Sequence, residues 1–233
     1  MQNYDENDTA AAGFASSNEQ TTNLTLVTRE QIEQRLENAS ADDQGWLARQ
    51  DFNGKKGDIA WLTDGSCLIG WDGKDNIAAL GHLPMQLPEG SYKFTHSITD
   101  LQAVGWGLGA YQFDRYKDAS RAPARLLLDA RNDLTQVMDK VCATLLTRDL
   151  INTPSQDMAP SHLEAEATAL AEHFAAQIEV TVGDELLDRE CGAIHAVGRA
   201  AADQPRLIDL TWGDPTHPKI TVIAKASPLI VVA

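Results

Sequence analysis

Six histidines, three cysteines and 34 carboxylates are the side chains through which this 233-residue chain could bind a metal or move a proton. Their spacing decides which of these they can do. His162 and His173 lie three helical turns apart, on one helix face but about 16 Å from each other, whereas two ligands of one ion need the i,i+4 spacing of HExxH. His195, within Ala193–Val197, reads as a satisfied core histidine, and His82, His96 and His217 as loop or helix-end residues. Cys67, Cys142 and Cys191 are widely spaced, odd in number and form no CxxC pair, which argues against a disulfide framework or a structural zinc site and for a reducing compartment. They also lack the electropositive setting of a nucleophile. Gly105, Gly107 and Gly109 spell GxGxG, but a phosphate-cradling loop follows a strand and opens a helix. These glycines fall inside a predicted helix beside Trp106, Leu108 and Tyr111, where close helix packing explains them. There is no GxSxG, and pairs such as Glu164/Glu166 read as ordinary charged helix faces. Residue types alone define no chemistry here.

The elements that would carry these residues follow from periodicity and punctuation. Residues 1 to about 24 are polar, without apolar periodicity, and read as a disordered tail. Thr28 with Gln31 forms a capping box for a helix striped by Ile32 and Leu36. A second short helix spans Asp42 to Gln50. Ile59–Leu62 and Cys67–Trp71 read as a hairpin turned at Asp64-Gly65. A helical stretch from Ile77 to His82, ended by Pro84, precedes a strand near Tyr92–Phe94. A helix from a Thr99 cap to about Phe113 and a strand Ala124–Leu128 come next. Asp133 then starts a long helix through Val137, Val141 and Leu145, which Pro154 stops. Asn152-Thr153-Pro154 and Ala159-Pro160 mark a joint. Beyond it, Ser161 with Glu164 caps an alanine-rich helix. Strand Ile178–Val182, helices Asp184–Glu190 and Cys191–Ala201, and strands Arg206–Trp212 and Lys219–Ala224 complete the layout. The alternation predicts an α/β protein.

Composition narrows the function classes. A net charge of −15 and a pI near 4.6 repel phosphate backbones and disfavour nucleic acid as a partner. No apolar run approaches the roughly 18 residues of a membrane helix, and the opening has neither the basic nor the apolar region of a secretory signal. A cytoplasmic location is expected.

Arg148-Asp149-Leu150-Ile151-Asn152-Thr153-Pro154, followed by Asp157-Met158-Ala159-Pro160, resembles the domain joint of the leucyl (cytosol) aminopeptidases, peptidase family M17. The resemblance continues through Ile194–Ala200, Pro205–Leu210, Trp212-Gly213-Asp214 and Lys219–Lys225, and Leu108–Tyr116 is similar to the amino-terminal domain of bacterial members. It implies a macro-like α/β amino-terminal domain with a mixed sheet over residues 25–132, a linker helix and joint at 133–160, and the start of an α/β catalytic domain from 161 to 233. The family's catalytic domain holds two divalent ions, manganese or zinc, through a lysine, three aspartates and a glutamate, usually within a hexamer. Two such ions activate a bridging water and polarise the amino-terminal peptide carbonyl. Lys225 matches the ligand lysine, but Ile230 stands where the family's next aspartate belongs, and a lone lysine cannot hold a dinuclear site. The resemblance therefore implies metallo-aminopeptidase ancestry, peptide substrates for the intact family, and no bound metal or catalysis by this chain alone.

The residues after Lys225 suggest a cause. The family-like peptide Lys-Gly-Val-Ser-Phe-Asp-Ser-Gly-Gly-Leu-Asp, in suitable synonymous codons, becomes Lys-Ala-Ser-Pro-Leu-Ile-Val-Val-Ala and a stop when one G is lost from AAG GGC. That is the observed Lys225–Ala233, so a truncating single-base deletion is expected, and the nucleotide sequence read in all frames tests it. Leu229–Val232 would then form an exposed, β-prone apolar run beside Pro228, which cannot donate to a ladder. The competing expectation is a non-catalytic module, its macro-like domain binding a ligand or mediating subunit contacts.

Overall fold

In the computed structural model, which describes residues 4–226 and 230–232, the chain divides into two units, Met1–Asp149 and Leu150–Ala233. The first carries α1 (Glu6–Ala11), β1 (Thr22–Val27), α2 (Arg29–Glu37), α3 (Ala41–Arg49), β2 (Ile59–Trp61), β3 (Cys67–Gly70), α4 (Leu83–Gln86), β4 (Ser91–Phe94), α5 (Asp100–Ala110), β5 (Arg125–Leu126) and α6 (Leu134–Asn152). Its mixed sheet has the order β2-β3-β1-β4-β5. β2 and β3 are the expected antiparallel pair, and the remaining neighbours are parallel. The centre is β1, a strand absent from the sequence reading. Leu24 faces Cys67 on one side and Phe94 on the other, and Leu24, Leu26 and Val27 are buried. Exposed Asn23 and half-buried Thr25 alternate with buried Leu24 and Leu26, a period-2 signal too short to stand out against the polar stretch that precedes it.

Local signals set the helices. Gln31 N–H donates to Thr28 Oγ1 and Thr28 N–H to Gln31 Oε1 at 2.9 Å, so the first capping box forms as read; Ile32 is buried beneath it. Thr99 and Gln102 make the same reciprocal pair at the start of α5. Two readings change. Pro84 begins α4 rather than ending a helix at Ile77–His82, because proline lacks only an N–H that the first turn leaves unpaired. α6 is not a separate linker: Val137, Met138 and Val141 are fully buried in the first unit's core.

The expectation of a disordered tail is also overturned within residues 4–19. Asp5 caps α1 by accepting from the N–H groups of Asn7 and Asp8. Ala12 and Phe14 are buried, Trp106 Nε1 donates to Gly13 O at 2.9 Å, and Tyr4 donates to Asp139 at 2.6 Å. Phe14 bridges Leu126 in parallel, with Leu126 N–H bonded to Gly13 O and Ala15 N–H to Leu126 O. The arm thus covers the β5 edge. Glu19 then pairs with Arg125 at 2.7 Å and accepts from Ser91. A single aromatic anchor and backbone hydrogen bonds leave no periodic trace in a sequence.

The second unit contains α7 (Pro160–Phe174), β6 (Gln177–Val182), α8 (Glu185–Asp188), α9 (Gly192–Gly198), β7 (Arg206–Thr211), β8 (Ala224–Ala226) and β9 (Ile230–Val232), with sheet order β6-β7-β9-β8. β6 and β7 are antiparallel, and Ala171, Leu186 and Ile208 are buried. The strand expected at Lys219–Ala224 is not formed: Ile220, Val222 and Ile223 are exposed outside regular structure, and pairing begins only at Ala224. The backbone of Ile230–Val232 pairs with both β7 and β8, so these residues do not form a bare end. Pro228 and Leu229 lie outside the described residues.

The capping box read at Ser161 and Glu164 is replaced by a longer-range arrangement. Ser161 N–H donates to Asp203 Oδ2 at 2.8 Å, and Glu164 instead accepts from Arg206. Arg206, nearly buried, also donates to Asp203 Oδ1 at 2.6 Å and to Gln204 O at 2.8 Å. Burial alone would raise the Asp203 carboxyl, but hydrogen bonds from Ser161 and Arg206 outweigh it and hold it below the ordinary range. Replacing Arg206 with methionine strips two part-buried carboxylates of their cation. The expected loss is about 2–3 kcal/mol, below the value for a fully buried pair because water still reaches both acids. Denaturant unfolding followed by far-ultraviolet circular dichroism measures it, and an unchanged midpoint would contradict this account.

Candidate functional site

The glycine motif lies wholly within α5 and shapes packing. A Cβ on Gly105 would stand 1.9 Å from Ile77 O, one on Gly109 1.8 Å from Gly81 O, and one on Gly107 2.8 Å from Val141 Cγ2. The bare helix faces let the 77–81 segment and α6 approach closely. No phosphate site is built there.

The stretch 108–116 and the start of 148–160 meet within the first unit. Arg148 donates to Leu108 O at 2.6 Å and lies with its guanidinium carbon 5.3 Å from the Tyr111 ring centroid. Tyr111 O–H donates to Asp149 Oδ1 at 2.7 Å. The end of α6 is thereby clamped to the end of α5 by a stacked cation and two hydrogen bonds. Sequence spacing alone could not show that these distant motifs share one structural task.

Histidine readings survive in part. His195 Nε2 lies 2.9 Å from Asp184 Oδ1, a satisfied histidine at the rim of the second unit. His162 and His173 are exposed on α7, and His162 Nδ1 accepts from Ala159 N–H at 3.1 Å. His82 caps α4 with Nε2 buried and without a hydrogen bond among the described residues. Burial, then the positive charge of Lys56, pushes its pKa below the ordinary value of 6.5, and burial does the same for His96. An unfolded chain therefore binds these protons more readily than the folded one. Stability from them is complete above pH 6.5 and falls as pH drops from 6.5 through the folded-state values. A melting-temperature profile from pH 7.5 to 5 should decline, and His82→Leu should flatten it; equal slopes would contradict this.

The cysteines take no part in a common centre. Cys67 is completely buried and burial pushes its thiol up to about 12. All three are free. Among the described residues no three His, Cys, Asp or Glu side chains come together as a metal site. Lys225 lies in β8 with its backbone opposite Val231. Among the described residues, then, no ligand set for the pair of ions that the resemblance implies is assembled. Among the described residues, no helix is long and apolar enough to cross a membrane.

Two α/β sheet units follow one another along the chain, and comparison with known proteins identifies the family. Residues 22–129 match the family model for the M17 aminopeptidase N-terminal domain, and residues 145–226 match that for the catalytic domain of the cytosol aminopeptidase family. The chain belongs to the M17 cytosol aminopeptidase family. A probable cytosol aminopeptidase of Pseudomonas paraeruginosa is 32% identical over 165 residues, covering 63% of this chain and 31% of that protein. The crystal structure of the Coxiella burnetii cytosol aminopeptidase superposes with a TM-score of 0.78 at 29% identity, over 87% of this chain and 46% of that one. The bottromycin maturation enzyme BotP, solved in complex with Mn, shares the fold at a TM-score of 0.63 and 20% identity, over 83% of this chain and 45% of that one. The chain spans about a quarter to a third of the length of the curated relatives it matches. The catalytic domain is only partly present.

Proposed function

We propose that these residues serve a metal-dependent aminopeptidase that releases amino-terminal residues from peptides in the cytoplasm, as part of a homo-oligomer of the hexameric kind. The observation supporting this reading is the tandem match of both family models, in order, across 22–129 and 145–226. Lys225 is the residue proposed to ligate metal, and the carboxylate partners it requires are not among the residues gathered here. No step of hydrolysis is assigned to this chain's own side chains, and the chain by itself is proposed to be inactive.

Hydrolysis of a leucine anilide with manganese tests both statements. The purified chain should show no turnover above a metal-free control; turnover would overturn the proposed inactivity. Residues 1–225 joined in register to the remaining catalytic segment of the Pseudomonas relative should regain metal-dependent turnover, lost again in Lys225→Ala. A folded, metal-loaded chimera without turnover would overturn the aminopeptidase reading.

A further inference from the structure

We infer that the outer edge of β6 is a docking site for residues 219–224 of a second copy of this chain, which join the sheet there as an added strand. A contact of this kind goes beyond the proposed peptidase function and does not depend on it. Sheet edges carry unpaired backbone N–H and C=O groups that template a further strand, and folds cover them. In the first unit both edges are covered. Gln50 sits on β2, its Nε2 donating to Trp61 O and its Oε1 accepting from Trp61 N–H, both at 2.9 Å, while Asp43 Oδ1 accepts from Thr63 N–H at 3.0 Å. The amino-terminal arm lies along β5 through Phe14. β6, at the edge of the second sheet, has no such cover among the described residues. Gly183 N–H donates to Pro205 O, so the backbone groups of Gln177, Glu179 and Thr181 turn toward β7. Those of Ile178, Val180 and Val182 then turn outward, as alternation in an antiparallel pair requires. Among the described residues no hydrogen bond takes up these outward groups.

The same chain holds a strand-forming segment left outside the sheet. Lys219-Ile220-Thr221-Val222-Ile223-Ala224 is rich in β-branched residues, yet Ile220, Val222 and Ile223 are 88%, 72% and 73% exposed and only Ala224 enters β8. The segment has the length of β6 and its alternation. In β6, Ile178, Val180 and Val182 share one face and Gln177, Glu179 and Thr181 the other. In the segment, Ile220, Val222 and Ala224 alternate with Lys219, Thr221 and Ile223. The register Val182↔Arg206 places the apolar row of β6 on the face where Arg206 meets Glu164 of α7. Docked so that Ile220 and Val222 continue this row, the added strand extends the face that carries α7, and a slip of one residue would turn both side chains away from it. Charge favours the same meeting: residues 215–225 hold two lysines and no carboxylate, within a chain of net charge −15. The β6 edge of the same molecule is out of reach. Ala224 is held in β8 at the opposite edge, about 14 Å from β6 across three strand spacings, and each preceding residue advances at most about 3.8 Å. Val222 and Ile223 therefore meet β6 only on another copy.

Sedimentation velocity on the full chain from about 1 to 200 µM tests this, with a rise in mass expected over that range. Val222→Lys puts a charge into the exposed segment outside regular structure, and Val180→Pro removes an outward N–H that the single chain leaves unpaired. Each should weaken self-association at least about tenfold, with unchanged circular dichroism. Mixed together, the two variants should associate with each other, because Val222→Lys keeps an intact edge and Val180→Pro an intact segment. If Val180→Pro unfolds, a synthetic peptide of residues 216–224 replaces it and should shift the amide resonances of residues 177–182 in Val222→Lys. A hexamer built through other surfaces would persist in Val222→Lys, so the two readings fail separately. A chain that stays monomeric throughout, self-association unaffected by Val222→Lys, a mixture as monomeric as its parts, or a peptide without effect on residues 177–182 would overturn the proposal.

Discussion

Gly109→Ala is expected to destabilise the first unit by about 3 kcal/mol or more, at the upper end for an overpacked core position. The added carbon would stand 1.8 Å from Gly81 O and 2.6 Å from Gly81 C. Both contacts are to backbone, so no rotamer change relieves them; α5 and the 77–81 segment must separate. Separation would expose Trp106, which is fully buried. The control is Gly45→Ala in α3, where nothing lies within 4 Å of the new carbon. There the substitution should stabilise by about 0.5–1 kcal/mol through reduced backbone entropy. Urea titrations compare the two midpoints at constant slope, and equal shifts would refute the packing role assigned to the glycine motif.

Phe14→Ala carries the second large effect, about 3–4 kcal/mol, the usual cost of emptying a buried phenylalanine site. The side chain is 2% exposed, and its backbone neighbours hold the β5 edge and the Trp106 indole. Gly13 has φ +82°, and a Cβ there would meet Ala110 Cβ at 2.5 Å, so the arm fits α5 through one conformationally special residue. Removing residues 1–15 should cost more than Phe14→Ala alone, because it also leaves the buried Trp106 N–H unpaired, worth about 1–3 kcal/mol. If thermal unfolding of the arm-deleted chain matches that of the full chain, the arm is not part of the domain.

These two cases show where reading the residues succeeds. The Thr28/Gln31 box and the Thr99 cap were legible because a cap is a contract between neighbours in sequence, settled within one turn. Gly105, Gly107 and Gly109 were legible as packing positions because a helix interior leaves glycine little other use. Phe14 was not legible, since its partner Leu126 is remote in sequence. Arg206 was missed for the same reason: the plausible local partner of Ser161 was Glu164, and the tertiary contacts of Asp203 and Arg206 displaced it. For the candidate site, Lys225 was legible only through family resemblance, because a single lysine carries no spacing signal of its own.

The central position of β1 bears on how the molecule comes to be made. Thr22–Val27 is synthesised before both of its partners, Cys67–Gly70 and Ser91–Phe94, which follow much later. At about 5–20 residues per second, the nascent chain carries this strand for several seconds with neither edge paired. Its parallel contacts cannot form by simple hairpin closure, so the first unit belongs among the slow folders in which loop-closure entropy precedes any reward. During that interval the defence against intermolecular pairing lies with the ribosome and chaperones, not with the fold.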